Sequence, residues 1–186
     1  MVDFMDMEKS VLVVVDIQER LVGAIDPELY RIALKNTQIL IEAAGTLSVP
    51  IVVTEQYPKG LGRTVAEVEQ ALEGKPISRY EKSTFSCARD EGFLSHLGSL
   101  GRKHAILVGM ETHVCVYQTA IDLMRAGYSV FVIDDAVSSR FRHNYESGLR
   151  SMIHAGAVVF STETALFSLL KRAGTPEFKK ISSLLK

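Results

Sequence analysis

Val11-Leu-Val-Val-Val15-Asp16-Ile-Gln18 decides the reading of the fold. Five consecutive apolar residues, four of them β-branched, stop on a carboxylate. A run with no polar alternation reads as a strand covered on both faces, the environment of a parallel sheet, and Asp16 marks its carboxyl end. Further along, Pro50-Ile-Val-Val-Thr54 repeats the pattern, and strand-length segments recur near 77–81, 104–108, 129–133 and 157–160.

Between these lie stretches of helical periodicity. Asp26-Pro27 supplies an N-cap and first-turn proline for a helix toward Gly45. Residues 56–63, with Pro58, Gly60 and Gly62, read as loop, and Thr64-x-x-Glu67 as a capping box opening a helix through Leu72. Further helices are expected over 90–100, over 113–126 before Gly127, from an Asn144 cap to His154, and over 163–172. After Gly174, Phe178, Ile181, Leu184 and Leu185 are available to dock on this subunit or a neighbour. Six strands separated by helices, with no hairpin signal and no repeat, predict one α/β domain over residues 1–186: a three-layer α/β/α arrangement around a six-stranded parallel sheet.

Composition bounds the function. The chain has 186 residues, 47% of them hydrophobic, and 21 basic against 22 acidic residues give a formal net charge of -1. With no Lys/Arg block there is no footprint for nucleic acid or an anionic membrane, so a small-molecule partner is expected. The N-terminus MVDFMDMEKS lacks the basic region of a secretory leader, and no apolar run approaches the roughly 18 residues of a membrane span. These features favour a cytoplasmic protein in which the two cysteines, Cys87 and Cys115, stay free.

In an open parallel sheet, ligands bind beyond the carboxyl ends of the strands where strand order reverses. Asp16 follows the first strand, Lys82 the third, and Cys115 lies shortly after the fourth, where a helix begins. A thiol at a helix N-terminus near an ammonium has its thiolate favoured, and Asp16 is placed to take the proton. Attack on a carbonyl carbon creates an oxyanion, and the turn from Gly109 to Cys115 offers backbone N–H groups to it.

Three segments carry a resemblance: Val13-Val-Val-Asp16-Ile-Gln18, Glu81-Lys82-Ser-Thr-Phe85-Ser, and Val108-Gly-Met-Glu-Thr112-His-Val-Cys115-Val-x-x-Thr119-Ala-x-Asp122. In order and spacing they resemble the signatures of the isochorismatase-like hydrolases, as does Gly127-Tyr-x-Val-x-Val-x-Asp-Asp135-Ala-x-Ser-Ser-Arg140. The resemblance implies that the first and fourth strands are neighbours at the switch point. It implies Cys115 as nucleophile, Asp16 as proton acceptor and later base for water, and Lys82 as the cation that stabilises the thiolate and orients Asp16. It also implies a non-proline cis peptide at Met110-Glu111, aiming the Glu111 and Cys115 amides at the oxyanion. Family members are commonly dimers or larger, so a homo-oligomer is expected.

Two departures refine the expectation. Isochorismatases proper lack a cysteine at the nucleophile position, so Cys115 points to the amidase-like branch. Nicotinamidases carry an Asp-x-His metal motif after the second strand, where this chain has Thr54-Glu-Gln-Tyr57, so no metal or other cofactor is expected. Gln18, Gln56, Tyr57 and Phe85 are candidate pocket residues. Cys87 reads as an inert buried thiol in preference to a redox partner of Cys115, and Asp16 is preferred to His113 as base. Asp134, Asp135 and Arg140 read as an ion-pair network holding the loop after the fifth strand. Beside an amidase-like hydrolase stands a different class, a catalytically silent binding or scaffold protein on the same fold.

Overall fold

The computed structural model describes residues 4–186; residues 1–3, part of the N-terminal stretch without a leader pattern, lie outside the described residues. Strands β1 (Ser10–Val15), β2 (Ile51–Gln56), β3 (Ile77–Lys82), β4 (His104–Met110), β5 (Ser129–Ser138) and β6 (Val158–Phe160) form one sheet in the order β3-β2-β1-β4-β5-β6. Every neighbouring pair is parallel. The α-helices among the described residues are α1 (Glu19–Val22), α2 (Pro27–Thr46), α3 (Pro58–Leu61), α4 (Ala66–Leu72), α5 (Glu91–Ser99), α6 (Tyr117–Arg125), α7 (Arg142–His154), α8 (Thr162–Leu170) and α9 (Pro176–Leu184).

The unbroken apolar run of β1 follows from its central place. Leu12 and Val14 pack on one face with Ile51, Val53 and Ile106 beneath α2, α4, α8 and α9. Val11, Val13 and Val15 pack on the other with Val52 and Leu107 beneath α5, α6 and α7. All five are at most 1% exposed, so each contributes about 1.5–3 kcal/mol of apolar burial. Helices cover both faces of an all-parallel sheet, giving the expected three-layer α/β/α fold.

The chain lays β1, β2 and β3 outward in one direction, then returns to place β4 on the other side of β1. Strand order therefore reverses between β1 and β4, the switch point where a crevice opens. Gly109 tightens it. Its φ is +112°, and a Cβ there would stand 2.0 Å from the Val15 carbonyl oxygen, so only glycine lets β4 come this close to the end of β1.

Several local expectations are corrected. Thr64 forms no capping box: its N–H and hydroxyl both donate to the Glu55 carboxylate at 2.8 Å, and Val65 stands at the start of α4. Asn144 lies inside α7, which begins after Phe141. Residues 56–63 are not all loop, because Pro58 opens the single turn α3. The helix expected over 113–126 starts as a π-helical turn, Thr112–Val116, and becomes α-helical only at Tyr117. β5 runs on to Ser138, beyond the expected end at 133, across a register irregularity opposite Leu107 to Gly109. There Asp134 and Asp135 interrupt the apolar pattern, and Asp135 accepts from the N–H and hydroxyl of Thr162 at 2.8 and 2.7 Å. The C-terminal segment docks on its own subunit: α9 buries Ile181 in the α2 face, and the Phe178 ring packs against Phe167.

Candidate active site

Asp16 sits one residue past β1 with φ +50°, a left-handed conformation that aspartate tolerates better than most side chains. Its N–H donates to the Thr54 carbonyl at 3.1 Å, pinning the turn to β2. The carboxylate is fully buried, which would cost several kcal/mol without compensation. Compensation comes from two sides: the Thr54 hydroxyl donates to Oδ1 at 2.8 Å and Lys82 Nζ to Oδ2 at 2.6 Å.

Lys82 ends β3, and register brings it beside Gln56 at the end of β2. Its ammonium also donates to Gln56 Oε1 at 2.7 Å and to the Phe85 and Thr84 carbonyls at 3.1 and 3.3 Å. Burial works against the charge, but the Asp16 carboxylate beside it outweighs this, and the Lys82 pKa is raised. The residue stays an ammonium. Gln18 supports this corner from behind: Oε1 accepts from the Gln56 N–H at 2.7 Å, while Nε2 donates to the Gln56 and Gly62 carbonyls at 3.0 and 2.8 Å.

Cys115 enters from β4. The peptide Met110-Glu111 is cis, and the Glu111 carbonyl accepts from Val114 and Val116 N–H at 3.0 and 3.2 Å, closing the turn that carries the thiol. Gly148 of α7 makes this packing tight, since a Cβ there would lie 3.0 Å from His113 backbone atoms and from the Thr112 carbonyl carbon. Cys115 and Asp16 line one cavity of about 250 Å³ together with Gln56, Phe85, Glu111 and Arg140.

The thiol differs from expectation. Burial first, then the Asp16 charge, hold the Cys115 pKa far above the usual thiol value, while Lys82 pulls it down by less. The Lys82 ammonium is held against Asp16, so its pull on the sulfur is the weaker influence and the thiol form is favoured. Cys87, fully buried, is likewise pushed up to about 11 by burial, and its Sγ lies 3.6 Å from the Thr54 hydroxyl. Both cysteines are free.

The candidate pocket residues separate. Gln56 and Phe85 line the cavity, whereas Gln18 and Tyr57 do not. Tyr57 is exposed, and its ring lies over Gly60. Met110 is buried in the core and offers its backbone alone to the turn. His113 Nδ1 meets the Ser139 hydroxyl at 3.1 Å. Arg140 does not pair with Asp134 or Asp135, as expected of a loop network; its backbone N–H and Nε both donate to the Glu111 carboxylate at 3.1 Å. A larger cavity of about 400 Å³ opens at the amino ends of β2 and β3 around Pro50, Pro76 and His96, away from every candidate catalytic side chain. Among the described residues no group of three or more His, Cys, Asp or Glu is arranged to hold a metal ion.

The pattern of the sequence does not mark Thr54, Arg140 or Gly148 as site residues. Thr54 carries a usable signal, because it is the first polar residue closing the second apolar run, as Asp16 closes the first. Gly148 carries none, since its closeness to the nucleophile turn is tertiary.

Comparison with known proteins places this geometry. A model of the isochorismatase domain matches residues 10–164. The secreted isochorismatase effector Isc1 of Phytophthora sojae is 42% identical over 180 residues, 95% of this chain and 84% of its own. The structure of the MAR1 ribonuclease from Caenorhabditis elegans superposes with a TM-score of 0.91 at 34% identity, covering 98% of this chain and 92% of that one. The YcaC product of Escherichia coli, described as an octameric hydrolase of unknown specificity, shares the fold with a TM-score of 0.85 at 22% identity, over 97% and 89% of the two chains. The matched segment contains all six strands and the three converging positions Asp16, Lys82 and Cys115, and the chain belongs to the isochorismatase family, a hydrolase class.

Proposed function

We propose that the protein is a metal-independent cysteine hydrolase that cleaves a small carboxamide or related C–N bond through a Cys115 thioester. The observation that carries the reading is one cavity lined by a thiol of raised pKa and by a buried carboxylate whose other side is held by an ammonium. Such a pair is a nucleophile with its base. As Cys115 Sγ bonds to the carbonyl carbon, its proton passes to Asp16, and the oxygen takes negative charge facing the 111–115 turn. Collapse breaks the C–N bond, the amine leaves with the proton from Asp16, and a thioester remains. Water then attacks the acyl carbon while Asp16 accepts its proton, and Cys115 leaves as thiol with the carboxylic acid as product. Lys82 holds the Asp16 carboxylate in place between steps and takes no proton itself.

Small volume and apolar walls at Leu21, Leu61, Phe85 and Val114 favour a small substrate over a polymer. The C. elegans relative is described as a ribonuclease, which makes RNA the natural competitor. Against it stand the near-neutral net charge and a cleft with a single half-exposed cation, since phosphate chains are held by several. The two free buried thiols suit a reducing cytoplasm, although the P. sojae relative is described as secreted. A homo-oligomer is part of the reading, as the E. coli protein of the same fold is described as octameric.

The test is ammonia release from a panel of primary amides, ureido acids and N-carbamoyl compounds, with an RNA oligonucleotide alongside. The reading expects turnover of one amide class, lost in a folded Cys115→Ala variant, and no RNA cleavage. Turnover unchanged in Cys115→Ala, or RNA as sole substrate, would overturn it.

A further inference from the structure

Between Gln56 and Thr64 the chain leaves the sheet, makes the single turn α3 and returns. Left-handed residues bound the excursion, Tyr57 at φ +38° and Gly62 at φ +80°. A left-handed tyrosine is strained and persists only where its surroundings impose it. Here they do. The Tyr57 N–H donates to the Lys82 carbonyl at 2.8 Å, the fully buried Gln18 side chain donates to the Gln56 and Gly62 carbonyls, and Arg20 donates to the Gly60 carbonyl at 2.9 Å. Beyond Gly62 the buried Glu55 carboxylate takes the Thr64 N–H and hydroxyl and the Arg63 guanidinium. Two buried polar side chains, Gln18 and Glu55, thus hold the ends of the segment in place.

The segment brings Leu61 to the cavity that Cys115 and Asp16 line. Among the apolar residues there, Leu21 packs on one core layer and Val114 on the other, whereas Leu61 and Phe85 belong to neither. Leu61 is therefore spare to the fold, and it borders the space a ligand would fill. The charges at that space close on each other, Asp16 with Lys82 and Glu111 with Arg140. With no net charge left over, apolar walls favour a hydrocarbon group over an ion, which loses its hydration on entry.

We propose that residues 57–62 form the specificity segment of the cleft, that Leu61 sets the length of acyl group accepted, and that the substrate class is a small uncharged amide with a hydrocarbon acyl group. The proposal rests on the reading of Cys115 as nucleophile.

Straight-chain aldehydes test it without an identified substrate. The Cys115 sulfur adds to the aldehyde carbon while the thiol proton passes to the oxygen, giving a reversible hemithioacetal that holds the alkyl chain where an acyl group would lie. Protection of Cys115 from iodoacetamide, read by peptide mass mapping to separate it from Cys87, measures that adduct for acetaldehyde through octanal. In the wild type, protection should strengthen about fourfold per methylene, as for one buried CH₂, and then stop at a limiting length. Leu61→Ala removes most of that wall, so the limit should move about two to three carbons longer, and Leu61→Phe should shorten it. The same limit in wild type and folded Leu61→Ala overturns the assignment while leaving the nucleophile in place. Should that variant fail to fold, Leu61→Val decides in the same way, its limit moving by about one carbon. Wild-type protein tests the charge: pentanal should protect about tenfold better than succinic semialdehyde, which has a similar length, and equal or better protection by the acid overturns the substrate class. Failure of iodoacetamide to modify Cys115 at all would instead remove the nucleophile reading, and this proposal with it.

Discussion

The Thr54 hydroxyl donates to Asp16 Oδ1 across 2.8 Å and faces the Cys87 thiol at 3.6 Å on its other side. Cys87 is protonated, so it donates to Thr54, and the Thr54 proton is left to point at Asp16. Thr54 thus positions the base. Thr54→Val removes that donor, a loss of about 1.5–3 kcal/mol for a bond to a charged group, and kcat/KM should fall about tenfold or more. Thr54→Ser, which keeps the hydroxyl, should restore kcat/KM. An equal loss in Thr54→Val and Thr54→Ser would make Thr54 merely structural.

The Asp16 charge raises the Cys115 pKa, and Lys82 opposes it. Asp16→Asn removes the anion and leaves the ammonium, so the midpoint of Cys115 alkylation against pH should move down even as turnover is lost. Lys82→Met should move the midpoint up. Both midpoints come from iodoacetamide rates at Cys115 across a pH series, and opposite directions would contradict the electrostatics described here.

Two glycines separate stability from alignment. Gly109→Ala forces a Cβ against the Val15 carbonyl at a left-handed φ and should cost about 2–4 kcal/mol in denaturant melts. Gly148→Ala gains about 1 kcal/mol of helix propensity against milder crowding of the 112–113 backbone. Its melting point should change little while kcat/KM drops roughly tenfold, because small misplacements of a nucleophile are costly.

Glu55 predicts the acid behaviour of the fold. Burial pushes its pKa up, but hydrogen bonds from Arg63 and Thr64 and the Arg79 charge outweigh this and bring it below the usual carboxylate value. A folded pKa below the unfolded one adds stability that is complete above the unfolded value and lost as pH falls through the folded one. Urea melts should therefore show stability declining below about pH 4, and Glu55→Gln should be less stable at neutral pH with a shallower acid decline. Equal acid slopes in the two proteins would refute the assignment.

The parallel sheet is legible in the sequence because β1, β2 and β4 are buried on both faces and therefore read as unbroken apolar runs ending on Asp16, Thr54 and Gly109. Asp16, Lys82 and Cys115 are legible as strand-end residues, and the three segments resembling isochorismatase-like hydrolases associate them. The raised pKa of Cys115 is not legible, since the burial of its sulfur and its nearness to the Asp16 charge are set by tertiary packing. Thr64 misleads for a similar reason: its local capping pattern loses to the buried carboxylate of Glu55 on β2, which takes both its N–H and its hydroxyl. Arg140 reads as loop scaffolding because its partner, Glu111, comes from a turn that only the β4 and β5 pairing brings near.

Acid quench during turnover of an amide substrate, followed by mass mapping of the Cys115 peptide, tests the central claim most directly. The account predicts an added acyl mass on Cys115 that neutral hydroxylamine removes and that is absent from Cys115→Ala. Steady turnover by the unsubstituted protein with a Cys115 peptide that carries no acyl mass at any quench time would contradict it.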